Sequence, residues 1–229
     1  MTGRDDIDRF IGYFKTGHRE IEKVARMLLK KILYLVEIDA LSRAAFPTVS
    51  GNRKRVVQFI DTCSNWNDKD KVSAVQLKLA LKKNGIMSGK LYDSINRQIN
   101  SWGYGTIPRP TDDLTLEEAQ RLSTTSESKH VNDARYAELL YTYRNYLLHE
   151  FREPGKSAES VIRADPTTPY YHGLDDLGVR EDSWELVFPL EFIQGLCEAC
   201  IRGLEAYLIA NNLNPYDSFE YGTMWRRYR

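Results

Sequence analysis

The chain has 229 residues, with 32 Lys plus Arg balanced by 32 Asp plus Glu, so its formal net charge is zero. That balance excludes a globally basic nucleic-acid binder, and any polyanion must be gripped by a local patch. Hydrophobic residues at 42% and charged residues at 28% fit a folded globular protein rather than a fibrous or disordered one. No apolar run reaches about 18 residues, and Met1-Thr2-Gly3-Arg4-Asp5-Asp6 lacks the apolar stretch of a signal peptide. A cytoplasmic protein with no membrane contact is expected. Three cysteines, an odd number, suggest reduced thiols rather than a disulfide framework.

In chain order, Ile7, Phe10, Ile11 and Phe14 mark one helix face, with a pause at Thr16-Gly17. A longer helix is expected over 18–45. Its apolar stripe holds Ile21, Val24, Ala25, Leu28, Leu29, Ile32, Leu33 and Val36, with Arg19, Lys23, Lys30 and Lys31 off it. Pro47 ends it. Ser50 is a candidate cap for a short helix carrying Val56, Val57, Phe59 and Ile60. Residues 70–84 read as a helix stopped by Gly85, although Leu77, Leu79 and Leu81 alternate. Ser88 caps a helix bearing Leu91, Ile95, Ile99 and Trp102, and Gly and Pro content makes 103–110 a loop.

Thr115-Leu116-Glu117-Glu118 is a capping box that opens a helix to about Leu122. The Ser- and Thr-rich stretch 123–132 is the best candidate for a mobile connection. An amphipathic helix then opens near Asp133, buries Tyr136, Leu139, Leu140, Tyr143, Leu147 and Leu148, and ends before Pro154-Gly155. A polar loop over 153–169 leads to two short strands, Tyr170-Tyr171-His172 and Trp184 to Phe188, read as a β-hairpin near 170–188. The last helix, about 190–211, repeats Ile193, Leu196, Cys197, Cys200, Ile201, Leu204, Tyr207 and Leu208 at helical spacing. A single mainly α-helical domain over 1–229 is expected, with the loop and hairpin inserted at 153–189.

The chemistry concentrates at Arg144-Asn145-Tyr146-Leu147-Leu148-His149. A permanent cation, a short amide and a titratable imidazole lie within two helical turns. Arg can hold a phosphodiester bidentately, and His can move protons. Positions five apart stand about 140° apart around a helix, so Arg144 and His149 do not share one tight face, whereas Asn145 and His149 do. One helix alone is therefore a poor catalytic cluster.

The Arg-polar-x-x-x-His pattern, late in a helix of a mainly helical chain, resembles the signature of the HEPN superfamily, and the order of elements is similar over most of the chain. The resemblance implies a HEPN-like bundle and a metal-independent endoribonuclease without cofactors. It implies a homodimer in which two copies of the motif meet, RNA as substrate, and a role in antiphage defence or a toxin–antitoxin system with an antitoxin or sensor partner. It also implies roles: His149 as general acid or base, Arg144 on the phosphate, and Asn145 orienting His149 or the nearby backbone. Glu150 and Arg152 are auxiliary candidates, for polarising His149 or touching phosphate. Some toxins of the superfamily carry a modifiable Tyr two residues after the His. Phe151 stands there and has no hydroxyl. The alternative is a non-catalytic module that binds RNA or protein.

Each motif residue also has a plainer reading, with Arg144 paired to Glu138 or Glu150 and His149 favoured by the helix C-terminus. The tail Trp225-Arg226-Arg227-Tyr228-Arg229 offers stacking rings and cations, Arg226, Arg227 and Arg229, for RNA. Arg53, Lys54, Arg55 and Lys69, Lys71, Lys78, Lys82 and Lys83 read as a solvated basic region. Cys197-Glu198-Ala199-Cys200 lies on an apolar face and reads as buried small residues. His18 could share a face with Glu22, but no metal site is expected.

Overall fold

The computed structural model describes residues 3–103, 106–155, 165–174 and 183–218. Helices dominate, with two small antiparallel strand pairs, so the chain is mainly α with one short hairpin. The elements are α1 (Gly3–Ile21), α2 (Met27–Ala45), α3 (Asn52–Cys63), β1 (Lys71–Val72), α4 (Ala74–Lys83), α5 (Lys90–Asn100), β2 (Leu114–Thr115), α6 (Leu116–Leu122), α7 (Thr125–Asp133), α8 (Tyr136–Glu150), β3 (Tyr170–Leu174), β4 (Ser183–Val187) and α9 (Leu190–Ala210). Among the described residues no helix is long and apolar enough to cross a membrane.

Two apolar cores result. The larger is built by α1, α2, α3, α8 and α9 around Tyr34, Ile38, Leu41, Phe59, Leu140, Leu147, Ile193 and Leu204. The smaller is made mainly by the intervening segment, with Val75, Leu77 and Leu81 of α4, Leu91, Ile95 and Ile99 of α5, Val131 of α7 and Tyr171 of β3. Tyr170 pairs with Val187 and Tyr171 with Leu186 in the hairpin. Tyr171 enters the smaller core and Phe188, just past β4, enters the larger.

Several expectations need correction. The helix break falls at 22–26, not at Gly17, so α1 continues to Ile21. The hydroxyl of Thr16 donates to Gly12 O at 2.9 Å, which lets it sit inside the helix. Because α2 restarts at Met27, its phase is not continuous with residues 21–25. Lys31 is buried, whereas Leu33 and Val36 are 39% and 42% exposed. Lys31 tolerates burial because Glu153 lies 2.9 Å from its Nζ. Residues 123–132 are not a bare connection. Thr124 and Glu127 form a capping box that starts α7, the same device that Thr115 and Glu118 supply to α6. Helix α4 starts at Ala74, capped by Ser73, rather than near 70, and Gly51 and Gly89, both with positive φ, take the N-cap positions of α3 and α5 in place of Ser50 and Ser88.

Helix α9 approaches α3 closely at Gly203. A Cβ there would stand 2.0 Å from the carbonyl oxygen of Cys63, a backbone atom with little room to move. Ala is ordinarily favoured over Gly inside a helix by about 1 kcal/mol. Here Gly203→Ala is expected instead to lower the unfolding free energy by about 1–3 kcal/mol, because α3 and α9 must part. Urea denaturation of the two proteins measures the sign.

The two cores share a buried polar hub. Asp113 Oδ2 accepts hydrogen bonds from the hydroxyls of Tyr136 at 2.7 Å and Tyr171 at 2.6 Å. Its Oδ1 accepts from Gln98 Nε2 at 2.9 Å and from the backbone N–H of Ala74 at 3.2 Å. Burial pushes the Asp113 carboxyl up from 3.8 to about 6, against the pull of these four bonds. Between pH 4 and 6 the folded chain therefore retains a proton that the unfolded chain has lost. This group's contribution is complete below pH 4 and is lost as pH rises through 6, a fall of about 3 kcal/mol. Subtracting the stability profile of Asp113→Asn from that of the wild type is expected to show that fall, which urea titrations at pH 4, 5, 6 and 7 resolve.

Candidate active site

Helix α8 starts at Tyr136 and stops at Phe151, which adopts a left-handed conformation with φ 55° and ψ 33°. Its buried set is Tyr136, Ala137, Leu140, Tyr143 and Leu147, which holds one side of the helix against the larger core. The side chains of Arg144, Asn145 and His149 are left on the flanks and at the exposed end.

Arg144 is not paired with Glu138 or Glu150. Its Nη2 donates to Asp39 Oδ2 of α2 at 2.5 Å, and its Nη1 donates to Asn145 Oδ1 at 3.0 Å. The guanidinium carbon lies 5.7 Å from the ring centroid of Tyr141. Glu138 pairs instead with Arg53, and Glu150 with Arg152. Arg55 of α3 joins the same cluster. Its Nη2 lies 3.4 Å from Asp39 Oδ1 and donates to Asn52 Oδ1 at 2.8 Å, while its Nε donates to Ser42 Oγ at 3.2 Å. Asp39, Arg55 and Arg144 have side-chain exposures of 13%, 10% and 12%.

One carboxylate thus faces two permanent cations in a largely desolvated place, leaving an excess of positive charge. The Nε of Arg144 is buried and has no hydrogen-bond partner among the described residues. A carboxylate or phosphate oxygen is the group that such a donor accepts best. Asn145 is spent on Arg144, and no hydrogen bond joins it to His149 among the described residues. The orienting contact expected between these two is replaced by an Arg-Asn one.

His149 is exposed in the last turn of α8 and makes no hydrogen bond or ion pair with the described residues. Around it the surface is aromatic and basic. The Arg152 guanidinium lies 5.2 Å from the Tyr146 ring centroid, and that of Arg26 lies 5.4 Å from the ring of Phe151. Arg152 and Glu150 pair at 2.5 Å with 54% and 47% of their side chains exposed, so Glu150 engages Arg152 rather than His149. Arg226, Arg227 and Arg229 lie outside the described residues.

No motif in the sequence marks Asp39 or Ser42, and Arg55, expected on a solvated basic face, is buried against both. The available signal was a carboxylate set within the apolar run Leu35 to Leu41, where an unpaired charge would be costly. Comparison with protein-family models, curated proteins and solved structures finds no match to this chain.

Proposed function

We propose that the protein is a HEPN-type, metal-independent endoribonuclease that works as a homodimer in antiphage defence or a toxin–antitoxin system. Its main support is the division of labour at the end of α8. A solvent-facing imidazole stands five residues beyond an arginine that Asp39 and Asn145 hold in a net positive cluster. In this reading one His149 removes the proton from a ribose 2′-OH. The freed oxygen attacks the adjacent phosphorus, and the phosphorus–O5′ bond breaks. The His149 of a second copy returns a proton to the leaving O5′, leaving a 2′,3′-cyclic phosphate and a 5′-hydroxyl. Arg144 stabilises the charge that grows on the phosphoryl oxygens. Tyr146, Phe151, Arg26 and Arg152 supply stacking faces and cations for the strand. Leu33 and Val36, one turn apart and exposed on the helix that bears Asp39, supply apolar surface for the second copy.

A second reading rests on the commitment of two Arg144 nitrogens to the fold. On it the same face binds RNA or a protein without cutting, and Arg144 serves as an anchor between α8 and α2. Incubating the protein with mixed RNA in EDTA and examining the ends separates the two. Cyclic-phosphate ends that disappear in folded His149→Ala support the nuclease. Binding with no cleavage by the wild type supports the module. Sedimentation of the wild type beside Leu33→Glu/Val36→Glu tests the dimer, which the double substitution is expected to dissociate.

A further inference from the structure

Spacing along α1 allows His18 to share a face with Glu22, and the sequence alone points to no metal site. The fold instead brings His18 to Glu37 and Cys197, one residue from each of three helices, α1, α2 and α9. The Nδ1 of His18 is 3.3 Å from Glu37 Oε2, and the thiol of Cys197 donates to that same oxygen at 3.1 Å. All three donor atoms lie within 4.8 Å of one another, and all three residues are buried. In tetrahedral zinc sites, with bonds of about 2.0–2.3 Å, neighbouring donor atoms stand about 3.3–3.6 Å apart. The two separations to Glu37, 3.3 and 3.1 Å, are already near that spacing, and the third needs only a small closure.

Charge supplies the next argument. Glu37 sits mid-helix in the larger core, and among the described residues its side chain hydrogen-bonds only His18 and Cys197. A buried carboxylate needs a cation or full hydrogen bonding. An imidazolium would answer Glu37 but would leave a second buried polar group unexplained. Tyr34, one turn before Glu37, packs its ring on His18 with centroids 4.8 Å apart, and its hydroxyl is buried without a hydrogen-bond partner among the described residues. A phenol hydroxyl can donate one hydrogen bond, and burial without an acceptor is costly.

We infer that His18, Glu37 and Cys197 form a site for a zinc-class divalent cation that clamps α1, α2 and α9 together. One nitrogen, one sulfur and one carboxylate oxygen suit a borderline-soft ion better than magnesium or calcium. The fourth position takes a water, which gives the Tyr34 hydroxyl its missing partner. Binding exchanges the thiol proton for the metal: the S–H bond breaks, a sulfur–metal bond forms, and the proton leaves to solvent. The site is built from α1, α2 and α9 and uses none of Arg144, Asn145 or His149, so it stands or falls apart from the nuclease reading.

Cobalt(II) titration of the full chain, stripped beforehand with chelator, tests this. The expected result is one cobalt per chain with a thiolate-to-cobalt charge-transfer band in the near ultraviolet and the visible bands of four-coordinate cobalt. The band is lost in Cys197→Ser and kept in Cys200→Ser. A wild type that develops no such band, or a folded Cys197→Ser that retains it, overturns the inference. Should Cys197→Ser not fold, Cys63→Ala/Cys200→Ala decides. It leaves Cys197 as the chain's last thiol, so persistence of the band assigns the site and its loss overturns it.

Discussion

Asp39→Ala is expected to lower the unfolding free energy by about 3–5 kcal/mol, the cost of stranding buried charge. Asp39 is the one carboxylate that Arg55 and Arg144 contact among the described residues, and both guanidiniums are about nine-tenths covered. Removing it leaves two cations side by side, each without an anion and too enclosed to recover its hydration. Asp39→Asn keeps an acceptor and is expected to fall between the two. Arg144→Leu in the Asp39→Ala background removes one of the stranded charges and is expected to restore part of the loss, a coupling that a double-mutant cycle by urea denaturation reads directly. If Asp39→Ala matches the wild type, the cluster contributes nothing to the fold and Arg144 is not held by it.

His149→Ala is expected to behave in the opposite way. The side chain is exposed and has no partner among the described residues, so stability should change by no more than about 0.5 kcal/mol. On the proposed nuclease reading, RNA cleavage should nevertheless fall by about 10²–10⁴-fold, the usual worth of a positioned proton-transfer group. Such a separation is diagnostic, since a merely structural residue cannot lose activity while keeping its midpoint. Arg144→Ala is expected to lose both, because the same guanidinium braces α8 on α2. Unchanged cleavage in His149→Ala would remove the imidazole from the reaction and leave the binding module as the standing reading.

Apolar spacing makes the helical class, α9 and the hairpin legible in the sequence, and the Thr115–Glu118 polar pattern marks the start of α6. These features are local, and each depends on residues within a few positions of one another. Sequence pattern falls short where a distant partner decides. Lys31 reads as solvent-facing because nothing near it in sequence says that Glu153 will reach it. Arg55 reads as one of a solvated basic set, although Asp39 and Ser42 draw it inside. The 123–132 stretch reads as a connection by composition, since Ser and Thr serve loops and helix caps alike. At the site, the motif itself was visible, but its electrostatic setting was not. Asp39, Glu37 and Lys31 all lie on α2, and a periodicity argument treats polar residues on such a helix as its wet face.

The end of α8 carries one more consequence. A terminal helical turn ordinarily frays, and a ligand landing on it must first still that motion. Here the residues just past that turn, Phe151 and Glu153, are both tied to the same neighbour. The Arg26 cation covers the left-handed Phe151 from just before α2, and Lys31 grips Glu153 from within it. A strand arriving at this rim would find a surface already quiet, so more of its contact energy would remain to favour association.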